Sequence, residues 1–313
     1  MDWKDMLVML ACLTVQCLAM SPWELQDFAH FLRKTSQLET AVEDDDSFDN
    51  DEIMSDFGWE QSGKFEGDLI LNDKQRIAIL EDVAVNTDVL FRNGLRDITK
   101  RWPYGEVIYF IKKEHFNNHQ IHAIENAMAS LAMLSCLRFR PYRVGDYDTV
   151  VIQGNKEGCF SQVGYQGGIQ VLNLSGRHPV GQGCFRHGTV LHELLHTLGF
   201  YHMQSSADRD DNVKIIWENV NQQHWHNFRK YNVSAVSDFD VGYDYSSVMH
   251  YNRRAFSING KSTIVPKQCG AQIGQRIRLS VKDIEKLNLM YCHMNDDEDD
   301  KITIKIEAKV RKH

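Results

Sequence analysis

Residues 190–202 read Val-Leu-His-Glu-Leu-Leu-His-Thr-Leu-Gly-Phe-Tyr-His, and no other stretch restricts the fold of this chain so tightly. On a helix His192 and His196 lie four residues apart, so both imidazoles leave one face and can bind a single ion. Glu193 sits beside them, near enough to polarise a metal-bound water without ligating the metal. Gly199 can take the left-handed conformation that ends a helix, which lets the chain turn and return His202 as a third ligand. Three imidazoles and an open fourth position describe a catalytic zinc site, one Zn2+ per subunit, rather than a closed structural one. A bare His-Glu-x-x-His arises by chance in about a few per cent of chains this long; requiring Gly199 and His202 lowers that by about two orders of magnitude.

The 313 residues suffice for one catalytic domain with accessory segments. Lys4, the apolar run Met6 to Val15 and then Cys17-Leu18-Ala19 predict a removed secretory signal over residues 1–19. The run is too short to span about 30 Å of hydrocarbon, so a secreted, extracellular protein without a membrane anchor is expected. Asn173 and Asn232 begin glycosylation sequons on that route. Export leaves Cys136, Cys159, Cys184, Cys269 and Cys292 in an oxidising medium, an odd number that keeps at least one thiol single or pairs it with another chain.

The net charge of −8 divides unevenly. Residues 20–92 carry 18 acids and 6 bases, whereas residues 93–292 carry 17 acids and 23 bases. The runs Glu43 to Asp46 and Asp49 to Glu52 make the leader read as mostly extended chain, and its charge suits a pro-segment lying across a basic body. Residues 293–313 form a charged tail to which no chemistry is assigned. Val107 to Ile111 predicts a strand, and Ile121, Ile124, Met128 and Leu131 recur at helical spacing. Val150 to Ile152 and Gly168 to Leu174 read as further strands, and Ser280 with Asp283 has capping-box spacing ahead of a last helix.

The zinc motif together with Ser247-Val248-Met249-His250-Tyr251 and the stretch from Phe65-Glu66-Gly67-Asp68 to Cys292 resembles the astacin family of metzincin proteases. The resemblance implies an α+β, two-lobed catalytic domain over residues 93–292: a mixed twisted sheet with the zinc helix in the upper lobe, and a mainly irregular C-terminal lobe with a final helix. It implies an endopeptidase that hydrolyses peptide bonds through a zinc-bound water with Glu193 as general base. Met249 would form the Met-turn beneath the zinc. Tyr251 would be an additional, mobile ligand that stabilises the oxyanion. Disulfides Cys159–Cys184 and Cys136–Cys292 are implied, leaving Cys269 over. Gly168 to Leu174 resembles the edge strand on which the family lays extended substrates. Asp68 would block the zinc in a latent zymogen, and Arg92-Asn93 resembles the point at which an activating protease cuts. Lys267, Arg276 and Arg278 are candidates to read an acidic residue after the scissile bond.

One departure bears on activation. Many family members carry, after the third histidine, a glutamate that pairs with the new N-terminus; Met203 stands there and cannot accept an ammonium. Expected partners are extended protein or peptide substrates and the activating protease, with no nucleic acid, the chain acting as a monomer. A catalytically silent binding module and a small-molecule zinc amidohydrolase compete with this reading. The first is weakened by the full set of site residues, the second by the substrate strand.

Overall fold

The structure, a computed structural model, describes residues 22–36, 62–85, 94–95, 97–230, 236–237 and 239–292. In chain order these form α1 (Pro22–Ser36), β1 (Leu69–Ile70), α2 (Asp73–Val85), β2 (Gly94–Leu95), β3 (Glu106–Ile111), α3 (Asn118–Leu134), β4 (Arg138–Pro141), β5 (Thr149–Gln153), β6 (Cys159–Gln162) and β7 (Ile169–Leu174). After these come α4 (His187–Thr197), α5 (Arg209–Asn212), β8 (Val213–Ile215), β9 (Val236–Ser237), β10 (Ile264–Pro266) and α6 (Val281–Tyr291).

One sheet of order β1-β6-β7-β5-β3-β4 organises the upper lobe. All its pairings are parallel except β6 with β7. The apolar runs read as strands are β3 and β5, and their buried Val107, Val150 and Ile152 meet the inner face of α3, where Ile124, Met128 and Leu131 are buried. Helix α3 begins at a reciprocal box in which Asn117 accepts from the Gln120 backbone and Gln120 from that of Asn117. The zinc-motif helix α4 is buried on all sides, as a helix carrying Val190, Leu191, Leu194 and Leu195 around its histidines must be.

The lower lobe has little regular structure. Its separate apolar cluster gathers Val213, Ile215, Phe228, Tyr251, Phe256 and Ile264 around the short β8–β10 ladder. Disulfide Cys136–Cys292 ties the end of α3 to the end of α6, and Cys159–Cys184 ties β6 to the turn before α4, both pairings as the resemblance implied. Cys269 is unpaired and exposed.

One expectation needs correction. Strand β7 is not an edge, because β5 and β6 bond it on both sides; the outer strand of residues 106–174 on that side is β6, and β1 covers it. Within the described part of the leader, α1 buries Phe28 and Leu32, one helical turn apart, and α2 opens on a reciprocal pair between Asn72 and Gln75. The acidic runs that prompted the extended reading lie outside the described residues, as do the signal, Arg92 and Asn93, Asn232 and the tail.

Candidate metal centre

Helix α4 delivers His192 and His196 from one face, and Gly199, at φ +104°, turns the chain so that His202 comes back to them. Each ring spends its Nδ1–H on a fixed acceptor. His192 donates to Val248 O at 2.8 Å, His196 to Phe200 O at 2.7 Å and His202 to the Glu66 carboxylate at 2.7 Å. The Nε2 atoms therefore face one another, 3.0 Å from His192 to His196 and 3.3 Å from His192 to His202. Asp68 Oδ2 completes the group, 3.0 Å from His192 Nε2 and 3.2 Å from His202 Nε2.

These four ligand atoms lie within 4.8 Å of one another and all four residues are buried. Tetrahedral zinc with nitrogen ligands at about 2.0–2.1 Å needs ligand atoms roughly 3.3 Å apart. Imidazole lone pairs converging in a dry pocket repel unless a cation lies between them, so the donor set fits zinc. Burial opposes charge on His202, but Asp68 and Glu66 outweigh it and push the metal-free ring up to about 9, a proton that a bound zinc would displace. Burial likewise opposes ionisation of Asp68, yet the charges of His202 and His196 and hydrogen bonds from His192 and His196 hold its carboxyl well below the usual range.

Glu193 is fully buried, and neither carboxylate oxygen has a hydrogen-bond partner among the described residues. Burial, with the nearby charge of Asp68, pushes its carboxyl well above the ordinary value, and Arg276 opposes them. An unpartnered buried carboxylate beside a metal group is costly unless it serves a ligand or a water.

Tyr251 is buried with its ring centroid 4.7 Å from that of His202, but its hydroxyl donates to Glu66 O at 2.6 Å and it is not one of the four clustered ligands. Met249 is buried in the turn after Val248, its N–H held by Ser247 Oγ at 3.0 Å. Of the three basic candidates only Arg276 interacts electrostatically with the centre: its Nη1 donates to His250 O at 3.0 Å, and burial pulls its guanidinium down to about 10, against the carboxylates of Asp68 and Glu193. Lys267 reaches the Asp210 carbonyl at the surface, and Arg278 is exposed. Asn173 is fully buried with its amide nitrogen donating to Lys156 O and Gly158 O, which leaves no room for a glycan on the folded chain.

Glu66 emerges as a site residue where only its tetrapeptide is legible in the sequence. At a left-handed φ of +49° it offers its carboxylate to His202 and Ser205 and its carbonyl to Tyr251, while its N–H is held by Asn227 Oδ1 at 2.9 Å. A non-glycine residue costs of order 1 kcal/mol or more in that conformation, a strain that the four contacts offset.

A buried three-histidine group, a carboxylate in the fourth corner and an unpartnered glutamate, carried on a mixed-sheet α+β fold, define a zinc-dependent hydrolase. Residues 94–292 match the model of the astacin peptidase family. The chain is similar to Seminal metalloprotease 1 of Drosophila melanogaster, 45% identical over 204 residues, covering 64% of this chain and 81% of that one. It is also similar to Zinc metalloproteinase nas-15 of Caenorhabditis elegans, 36% identical over 252 residues, covering 79% of this chain but only 42% of that longer protein. Among solved structures it resembles High choriolytic enzyme 1, a hatching enzyme zinc-protease from Oryzias latipes, at 37% identity and a TM-score of 0.55, covering 61% of this chain and 92% of that one. The chain belongs to the astacin family: it is a zinc metalloendopeptidase, a peptide hydrolase acting on protein or peptide substrates. No described helix is long and apolar enough to cross a membrane.

Proposed function

We propose that this endopeptidase is made as a secreted, latent zymogen: signal 1–19, pro-segment 20–92, catalytic domain 93–292 and tail 293–313. The observation that carries latency is the pair of contacts made by one leader turn, Asp68 in the fourth corner of the histidine group and Glu66 O on the Tyr251 hydroxyl. Pairing of β1 with β6 supports it, since that outer strand offers the backbone groups an extended substrate would use. Cleavage at Arg92-Asn93 by an activating protease then releases all three restraints.

Bound zinc supplies a Lewis acid and lowers the pKa of a water molecule to about 7. Glu193, made more basic by burial, takes the proton of the attacking water and passes it to the leaving amine nitrogen. Tyr251, released from Glu66, donates to the scissile carbonyl oxygen as negative charge develops there. Arg276, whose charge acts on the centre, selects an acidic side chain after the scissile bond.

Two substitutions test these roles on casein or a quenched peptide. In the activated enzyme Glu193→Gln lowers chelator-sensitive cleavage by about 10²–10⁴-fold with zinc content unchanged. Retained cleavage sinks the general-base role. In the uncleaved chain Asp68→Ala removes a buried charged contact worth about 3 kcal/mol and raises activity about a hundredfold. A variant as silent as the parent removes Asp68 as the block.

A further inference from the structure

The cap of the last helix reaches into the metal centre from behind. Asp283, the third residue of α6, is buried and closes the predicted capping box with Ser280, whose hydroxyl accepts from Asp283 N at 2.8 Å while its own N–H donates to Asp283 Oδ2 at 2.9 Å. The same carboxylate makes two bonds that a helix cap does not need. Ser247 Oγ donates to Oδ1 at 2.6 Å, and Val248 N donates to Oδ2 at 2.9 Å. Ser247 Oγ in turn accepts from Met249 N, so one carboxylate holds Ser247 and Val248 directly and Met249 through a hydroxyl.

Val248 links this anchor to the ligands. Its N–H is held by Asp283, its carbonyl accepts from His192 Nδ1, and the N–H that shares a peptide with that carbonyl, Met249 N, is held by Ser247 Oγ, so the turn that α6 positions decides which nitrogen of His192 carries the proton and how the ring is turned. Met249 extends the chain of contacts, its carbonyl accepting from Met203 N directly after His202. Asp283 lies behind the ligands and is absent from the four-residue metal group.

We propose that Asp283 is a positioning residue for the zinc centre, acting through the Ser247–Val248–Met249 turn to fix the tautomer and orientation of His192. Outer partners of metal-bound histidines tune affinity through ring orientation and basicity, and their loss costs about 10–100-fold in metal affinity or activity. The inference rests on the zinc assignment and is independent of whether the leader inhibits.

The test measures zinc affinity of the full chain by competition with a chromophoric chelator, alongside thermal unfolding of the zinc-free protein and the visible spectrum of the cobalt-substituted form. Asp283→Ala is expected to weaken zinc binding by about 10–100-fold. Asp283→Asn, which keeps one acceptor oxygen for the backbone N–H groups, falls between Asp283→Ala and the parent and shifts the cobalt bands. Ser247→Ala acts in the same direction. Ser280→Ala removes the cap hydroxyl but leaves both bonds to the turn, so it lowers the melting temperature with zinc affinity unchanged. Where Asp283→Ala does not fold, Asp283→Asn and Ser247→Ala decide: parent-like zinc affinity and cobalt spectrum in both, with loss confined to the melting temperature, would make Asp283 a helix cap and nothing more.

Discussion

The two lobes supply the metal centre by different physical means. In the upper lobe His192 and His196 are placed by helical periodicity, on a helix packed into a sheet whose backbone groups satisfy one another strand by strand. In the lower lobe the backbone is mostly irregular, and individual side chains hold it where ladders would otherwise do so. Arg209 is the clearest case: buried, it donates from Nη1 to Phe228 O at 2.7 Å and Gln204 O at 3.2 Å, while Nε pairs with Asp210 at 2.7 Å. Gln204 then accepts from Tyr251 N at 3.1 Å. Regular structure spreads its support over many equivalent bonds; the irregular lobe concentrates it in a few polar residues, each of which is hard to replace.

That contrast breaks most sharply on stability. Arg209→Met keeps most of the volume but leaves two carbonyls without their donor, and is expected to cost about 3–5 kcal/mol in denaturant unfolding. Ile152→Val, deep in β5, removes one methyl group from a fully buried site and should cost about 0.5–1.5 kcal/mol. Equal losses would mean that the lower lobe is held by its apolar cluster and not by its polar anchors.

The same contrast explains what the sequence could reveal. Periodicity exposes β3, β5, α3 and α4, because strands and helices repeat and their apolar faces repeat with them. It also exposes the zinc histidines, since two are one helical turn apart and the third follows a glycine. Asn227, Gln204 and Glu66 carry no such signal: each acts through a contact with a residue distant in sequence, Glu66 meeting Asn227 across 161 positions and Tyr251 across 185. Asp283 is legible as a helix cap from its spacing to Ser280, but its hold on Val248 depends on how the last helix docks. The edge strand is misread from sequence for the same reason, because the order of strands in a sheet is a property of packing and not of any single run.

Where the lobes touch, a glycine sets the fit. Gly188, at the start of α4, donates its N–H to Arg276 O at 3.1 Å, and a Cβ built there would lie 2.1 Å from the Arg276 carbonyl carbon. Gly188→Ala must push the Arg276 segment away, an overpacking cost of about 1–3 kcal/mol. Since Arg276 is the basic candidate whose charge acts on the centre, kcat/KM on peptides with an acidic residue after the scissile bond should fall by about tenfold or more, with neutral peptides affected far less. An equal fall on both would separate Arg276 from charge selection and leave the glycine a purely structural hinge between lobes.

The smallest expected effect asks which lobe holds the leader. Besides the β1–β6 pairing above, the leader has an aromatic seat below, where Phe65 stacks on His226 with centroids 6.3 Å apart and Phe28 lies 5.9 Å from the same ring. Burial, with the charges of His224 and Arg229, pulls His226 down to about 3, so the seated ring is neutral. Arg229 also lies over the Phe28 ring. A ring uncovered when the leader departs returns toward its ordinary value of about 6.5 and binds a proton that the seated ring refuses. Leader binding from this ring is thus strongest above pH 6.5 and weakens as pH falls toward 3. Between about pH 7.5 and 5.5 the dissociation constant of the severed leader should rise by up to about tenfold, and His226→Gln should flatten that segment of the profile. A profile unchanged by the substitution would assign the leader's hold to the strand pairing and the Asp68 contact.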